Sequence, residues 1–254
     1  MTFFNFEKFL ALIIKYWDKF LTTGVLYTLA LAAVTVSAGV VVASVLALMK
    51  MSKAKFAPLR YLLRFLSTLY IEVIRGTPML LQLYFFYFGL PILIPALNKQ
   101  KFLCVAVALI CNSAAYVSEV IRSGIQSVDA GQMEAALSLG FSEKRAMWSV
   151  VVPQAVKTIL PSLGNEFIMI VKDTSLASTF FLGDLMTQYL VVKGATYLPI
   201  EPLVFAGLIY LVMTYTLSKV FGHFEKKLKR DERQANALAA AKHGHANKKG
   251  GASL

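Results

Sequence analysis

Histidine, cysteine and acidic side chains are scarce in this chain: its 254 residues hold 3 His, 2 Cys and 14 Asp and Glu together. So few cysteines exclude a disulfide framework. Cys104 and Cys111 fall in one apolar run, roughly 10 Å apart along a helix axis, beyond disulfide reach. They read as small packing residues. No histidine lies within a long apolar run, and neither G-x-S-x-G nor clustered metal ligands occur, so a membrane-embedded enzyme lacks its residues and no metal site is expected. G-x-x-x-x-G-K-[ST] is also missing, which leaves the chain no P-loop for ATP.

Charge is absent over long intervals: residues 21–49, 76–98, 102–118 and 202–218 carry none. The mean hydropathy is +0.62 and the apolar share 57%, above the roughly 45–50% of soluble domains. A bilayer span needs about 20 mostly apolar residues. These runs therefore predict an integral membrane protein. The first run is too long, and starts too late, for a cleavable signal peptide.

An all-α fold with five transmembrane helices is expected, near residues 24–49, 65–90, 102–121, 161–181 and 203–221. Ahead of them, Phe6, Phe9, Leu10, Ile13 and Trp17 recur at helical spacing among Glu7, Lys8, Lys15 and Asp18. That pattern suits an amphipathic helix over 1–20 lying in the membrane interface. The transmembrane domain is read as 21–222, with a polar loop at 122–157. Residues 223–254 read as a flexible basic tail, in which His243 and His245 belong to low-complexity sequence.

An odd number of spans separates the termini. The segments 50–64, 122–157 and 219–233 hold 15 Lys and Arg, against 6 in the segments facing them. Positive charge marks the cytoplasmic face, so the N-terminus is expected outside and the C-terminus in the cytoplasm. The same bias explains most of the net charge of +12. Nucleic acid is not needed as a partner.

The polar loop holds a well-punctuated hairpin, "MEAALSLGFSEKRAMWSVVVP". Asp129 suits an N-cap, with Gln132 placed to complete a capping box and Val128 and Met133 a hydrophobic staple. Gly140 suits a left-handed C-cap, and Ser142 can cap a second helix that Pro153 disturbs. Ala135 and Ala136 give the first helix small side chains that another protein can approach closely. Patterning alone fits an ordinary loop helix equally well.

Ionisable groups inside spans cost roughly 2.5–3.5 kcal/mol on insertion scales, so they face protein or a wet cavity. Glu72 and Arg75 are one turn apart and able to pair. Beyond them Gly76 can end a helix, Thr77 cap the next and Pro78 start it. A broken helix aims a positive dipole end at an anion such as a carboxylate; a kink with an internal salt bridge is the plainer alternative. Farther on, Ser162, Glu166, Met169 and Asp173 share one helix face, with Asn165 and Lys172 beside it. Glu166 or Glu72 can receive an ammonium group, and Asn165 both donates and accepts. Asp173 and Lys172 also suit an outer interface, where they would only snorkel. Glu119 and Arg122, spaced i, i+3 beside the hairpin, are candidate supports for it.

"EAALSLGFSEKRAMWSVVVP" resembles the signature loop of bacterial ABC-transporter permeases: EAA, three residues, Gly, nine residues, Ile, one residue, Leu-Pro. Glu134, Ala135, Ala136, Gly140 and Pro153 match it, while Val150 and Val152 replace Ile and Leu. "YIEVIRGTPMLLQLYFFYFGLP", "EVIRSGIQSVDAGQ" and "PQAVKTILPSLGNEFIMIVKDTSL" resemble the polar amino acid uptake branch, and the likeness covers about residues 22–222. It implies a type I permease fold in the bacterial cytoplasmic membrane, with Glu134, Ala135, Ala136 and Gly140 docking on a cytoplasmic ATPase dimer. ATP with Mg would be bound by that partner, and no cofactor by this chain. A second permease subunit, identical or related, and an extracytoplasmic substrate-binding protein are also implied. So is substrate binding near the helix of Asn165, Glu166 and Asp173; the residue chemistry adds Glu72 as a candidate, beside a break at Arg75, Gly76, Thr77 and Pro78. An ion-driven secondary transporter would use the same intramembrane acids but leaves the hairpin unexplained.

Overall fold

In the computed structural model the backbone is described over residues 4–250, and side chains through residue 230 except Lys229. Helix accounts for nearly all of it, and the described residues include no strand. Helix α1 (Phe6–Asp18) passes through a π-helical turn (Lys19–Gly24) into α2 (Val25–Lys50). The segment expected as an amphipathic helix over 1–20 forms α1 and continues into α2 as one 45-residue run. Such a run is about 68 Å long, more than twice the roughly 30 Å hydrocarbon core. Its first turns cannot all stand within the bilayer. They pack on the start of the last helix, where the Asn5 N–H donates to Glu201 Oε1 at 3.2 Å and Phe9 meets Phe205 edge-on. Phe6, Leu10, Ile14 and Trp17 remain exposed.

Helices α3 (Ala57–Gly76) and α4 (Met79–Leu93) form one bent pair, turned by 109° at the break. Then come α5 (Lys101–Gln126), the hairpin helices α6 (Ala130–Ser138) and α7 (Glu143–Ala146), α8 (Val152–Asp173), α9 (Leu185–Thr196) and α10 (Glu201–Gly250). Among the described residues, three helices are long and apolar enough to cross a membrane, or four counting the bent pair as one span. Helix α8, expected as a fifth, falls outside that set: Lys157, Glu166, Lys172 and Asp173 break its apolar character. It also starts earlier than the expected residue 161. A π-turn over Met147–Val151 joins α7 to α8, with the Val152 N–H donating to Met147 O. Pro153 has no N–H to give, and the widened turn carries the helix past it without a break. At the other end α10 runs on through residue 223, where a separate tail was expected. The flexibility expected of that tail concerns side chains beyond 230, outside the described residues.

Helix α5 is the centre. Of its most apolar stretch 61% is buried, against 28% for the α1–α2 run and 11% for α10. Small residues allow that closeness, as in membrane helix packing generally. A Cβ on Gly39 would stand 3.2 Å from Ser113 Oγ, and one on Gly124 only 2.4 Å from Ile159 Cγ1. Leu31, Leu83, Val105 and Leu109 are fully buried where α2 and α4 meet α5. A second cluster, with Phe20, Val171, Leu185 and Val192, joins the π-turn to α8 and α9. Asp184 is completely buried and caps α9, accepting from the Met186 N–H at 3.0 Å and from the Thr187 hydroxyl.

Candidate functional site: a polar seam and a coupling hairpin

The hairpin is built as its punctuation predicts. Asp129 accepts from the Gly131 N–H at 2.8 Å and starts α6. At its end the Phe141 N–H donates to Ala136 O and the Gly140 N–H to Leu137 O, the two bonds of a Schellman motif. Gly140 has φ +83°, a conformation glycine adopts without steric cost. Ser142 accepts from the Arg145 N–H at 3.4 Å and caps α7. The capping box is not made: Asp129 bonds the Gly131 N–H rather than that of Gln132, and Gln132 Oε1 accepts from Gln154 Nε2 at 3.3 Å, fastening α6 to the root of α8. Glu134, Ala135 and Gly140 are exposed, and Leu139 is 79% exposed. Ala136 turns inward and is buried, so its small side chain serves packing rather than an outer surface.

The end of α5, ahead of the hairpin in the chain, carries an ion network. Glu119 accepts from Lys50 Nζ at 2.6 Å and from Arg122 Nη2 at 2.8 Å. Arg122 Nη1 also donates to Gln126 Oε1 at 2.5 Å. The Glu119–Arg122 pair agrees with the i, i+3 spacing. Lys50 comes from the end of α2, 69 residues away, and no local pattern announces it.

The break in the bent span differs from expectation. Glu72 and Arg75 are both exposed and form no ion pair; the Arg75 guanidinium lies over the Tyr116 ring, 5.2 Å from its centroid. A cation–π partner on a packed neighbour has displaced the carboxylate one turn back. Thr77 does not cap α4: its hydroxyl donates backward to Val73 O at 2.9 Å, and its oxygen accepts from the Gln82 side chain rather than from a backbone N–H. Pro78 stands at the N-cap itself, without a side-chain bond. Gln82 closes the break instead. Its Nε2 donates to Ile74 O at 2.7 Å, Thr77 Oγ1 at 2.8 Å and Thr77 O at 3.1 Å.

On α8, Glu166 is half-buried and accepts from the Ser113 hydroxyl at 2.9 Å. Asn165 is exposed and Asp173 half-buried, with Met169 exposed between the two acids. The structure thus sets Glu166 and Asp173 along one open seam of α8. Gly164 lies on the opposite side, where a Cβ would come within 2.9 Å of Phe221 Cγ on α10. A glycine there permits the contact that holds α10 to α8. Sequence reasoning missed Ser113, Gln82 and Asn112, whose partners lie 53 and 30 residues apart.

A capped polar hairpin and a helix face carrying two acids, set beside long apolar helices, suit a transport subunit, and known proteins agree. The family described as "Binding-protein-dependent transport system inner membrane component" matches residues 39–230. The arginine transport system permease protein ArtQ of Bacillus subtilis is 40% identical over 84% of this chain and 94% of its own length. The probable glutamine ABC transporter permease protein GlnM of the same organism is 38% identical over 82% and 92%. A crystal structure of an amino acid ABC transporter with histidines superposes with a TM-score of 0.76, at 41% identity, covering 86% of this chain and 98% of that one. The chain belongs to the binding-protein-dependent transport system inner membrane components, the permease subunits of ABC importers.

Proposed function

We propose that this chain is the permease subunit of an ATP-driven importer for a polar amino acid, working by alternating access. The observation that carries this reading is α6, a Schellman-capped helix with Glu134, Ala135 and Gly140 outward. A cytoplasmic ATPase dimer would dock there. ATP with Mg belongs to that partner, and this chain holds no cofactor of its own. Glu119 and Arg122, joined by Lys50, brace the hairpin against α2 and α5 and carry its motion inward.

Five crossings complete the reading: α2, the bent pair, α5, α8 and α10, with the N-terminus outside and the C-terminus in the cytoplasm. Counting α8 as a crossing is physically sound because its acids face a seam rather than lipid. One such set of helices makes half a pathway, so a second permease, identical or related, closes it. An extracytoplasmic binding protein delivers the cargo. Glu166, Asn165 and Asp173 would meet the amino acid's ammonium or a cationic side chain, and Glu72 would face the same path. The break from Arg75 to Pro78 would present free N–H groups of α4 to the carboxylate.

Uptake of labelled arginine and glutamine by vesicles holding the assembled complex tests the reading. ATP-dependent accumulation of either is expected, abolished in Glu134→Arg and Gly140→Pro while both variants stay inserted. Normal uptake by both variants defeats the docking role of α6.

A further inference from the structure

Three consecutive residues of α5 hold three different elements of the seam. The Cys111 carbonyl accepts from the Tyr70 hydroxyl of α3 at 2.8 Å. Next, Asn112 Nδ2 donates to Gln82 Oε1 of α4 at 2.9 Å. Then the Ser113 hydroxyl donates to Glu166 of α8. Gln82 in turn grips the loose end of α3 through Ile74 O and both oxygens of Thr77. Both limbs of the bent span, and the acid of α8, are therefore fastened to one turn of the central helix. Gln82, Asn112 and Ser113 are all at least 92% buried, where water competes little for these bonds.

The geometry points to residues 111–113 as a hub, with Gln82 and Asn112 as positioning residues that hold the 109° break and set the start of α4 relative to Glu166. The orientation of the Gln82 amide follows from its partners. Its nitrogen faces the carbonyls of Ile74 and Thr77 and its oxygen faces the Asn112 amide nitrogen, so the opposite flip would set the oxygen against two carbonyls that cannot donate. Replacing either residue with an apolar side chain of similar shape removes the clasp without hindering insertion. Gln82→Met leaves the carbonyls of Ile74 and Thr77 without the amide, and Asn112→Leu leaves Gln82 Oε1 without its donor. Apart from its effect on uptake, which rests on the function proposed above, the hub is a claim about shape.

Spin labels on exposed Leu69 of α3 and Phe88 of α4 would read the break directly. The complex would be in nanodiscs, with Cys104 and Cys111 replaced by alanine and labelled copies diluted by unlabelled ones. The Cys111→Ala change keeps the carbonyl that Tyr70 uses. One narrow distance is expected for this background and for Thr77→Ser, which retains the hydroxyl. A broad or shifted distribution is expected for Gln82→Met and Asn112→Leu. In vesicle uptake the same two variants should raise the half-saturation concentration for arginine or glutamine severalfold, beyond any loss in the amount of inserted protein. Failure of the parent complex to take up either amino acid would count against the proposed cargo and leave the distance result to decide the hub. An unchanged narrow distance in both clasp variants overturns it.

Discussion

Gly124 shows how little room α5 leaves its neighbours. A methyl group there would meet Ile159 Cγ1 at 2.4 Å, with the Ala155 carbonyl 3.6 Å away. Gly124→Ala should therefore destabilise the membrane domain by about 1–3 kcal/mol, the usual cost of overpacking. Combined with Ile159→Ala, the loss should be smaller than the sum of the two single losses, because the obstruction is a side chain. Thermal unfolding in detergent, followed by size-exclusion retention, reads both. Glu119 offers a second test. Its carboxylate faces Lys50 and Arg122 at partly exposed positions, where a pair is worth about 1 kcal/mol or less. A double-mutant cycle of Lys50→Ala and Glu119→Ala should show a coupling of that size and sign. Pairing between residues 50 and 119 was beyond the sequence, since charge spacing reports only neighbours on the same helix. The same reason hides Ser113 behind Glu166. The pairing expected of Glu72 and Arg75 fails in the opposite way: the spacing allows it, but Tyr116 on α5 competes for the guanidinium.

Among the elements, α6 was the most legible, because its caps are local chemistry. Asp129, Gly140 and Ser142 each act within a few residues of themselves. The left-handed conformation at Gly140 costs a residue with a Cβ roughly 1–2 kcal/mol. Gly140→Ala should fray the end of α6 without disturbing insertion, and hydrogen exchange should accelerate over residues 136–141 alone. The bent span was legible as a break but not in its construction. Thr77 has the right chemistry for a cap, yet its hydroxyl finds Val73 O first, and Gln82 supplies the closure from the following helix. Helix α8 begins ahead of the span expected from residue 161, next to Pro153, where a proline ordinarily interrupts an α-helix. The π-turn at Met147–Val151 takes up the missing hydrogen bond, so α7 and α8 form one rod from hairpin to seam. Motion of α7 thus has a continuous helical route to Glu166.

For the whole molecule, the distribution of charge makes a topological prediction. With the N-terminus outside, single cysteines at Lys99 and Lys144, in a background lacking Cys104 and Cys111, should react with an impermeant thiol reagent from opposite faces. Lys99→Cys should label in intact cells, and Lys144→Cys only after the membrane is opened. The 45-residue α1–α2 run fits this arrangement if its first turns rest at the outer surface against α10. Membrane character was readable from the charge-free runs, but the order of the helices was not readable from them alone, because α8 carries Glu166, Lys172 and Asp173 and α9 carries Lys193. The central place of α5 was not, because its apolar run reads like the others. What distinguishes it is a row of small and polar residues whose partners lie on four other helices.

The most direct test of the account is to purify this chain from solubilised native membranes and identify what accompanies it by mass spectrometry. A partner bearing G-x-x-x-x-G-K-[ST] should be recovered with the native sequence and lost with Glu134→Arg, while the permease stays in the membrane. Recovery of this chain alone, transporting amino acids after reconstitution without ATP, would contradict the importer reading and establish an ion-driven carrier in its place.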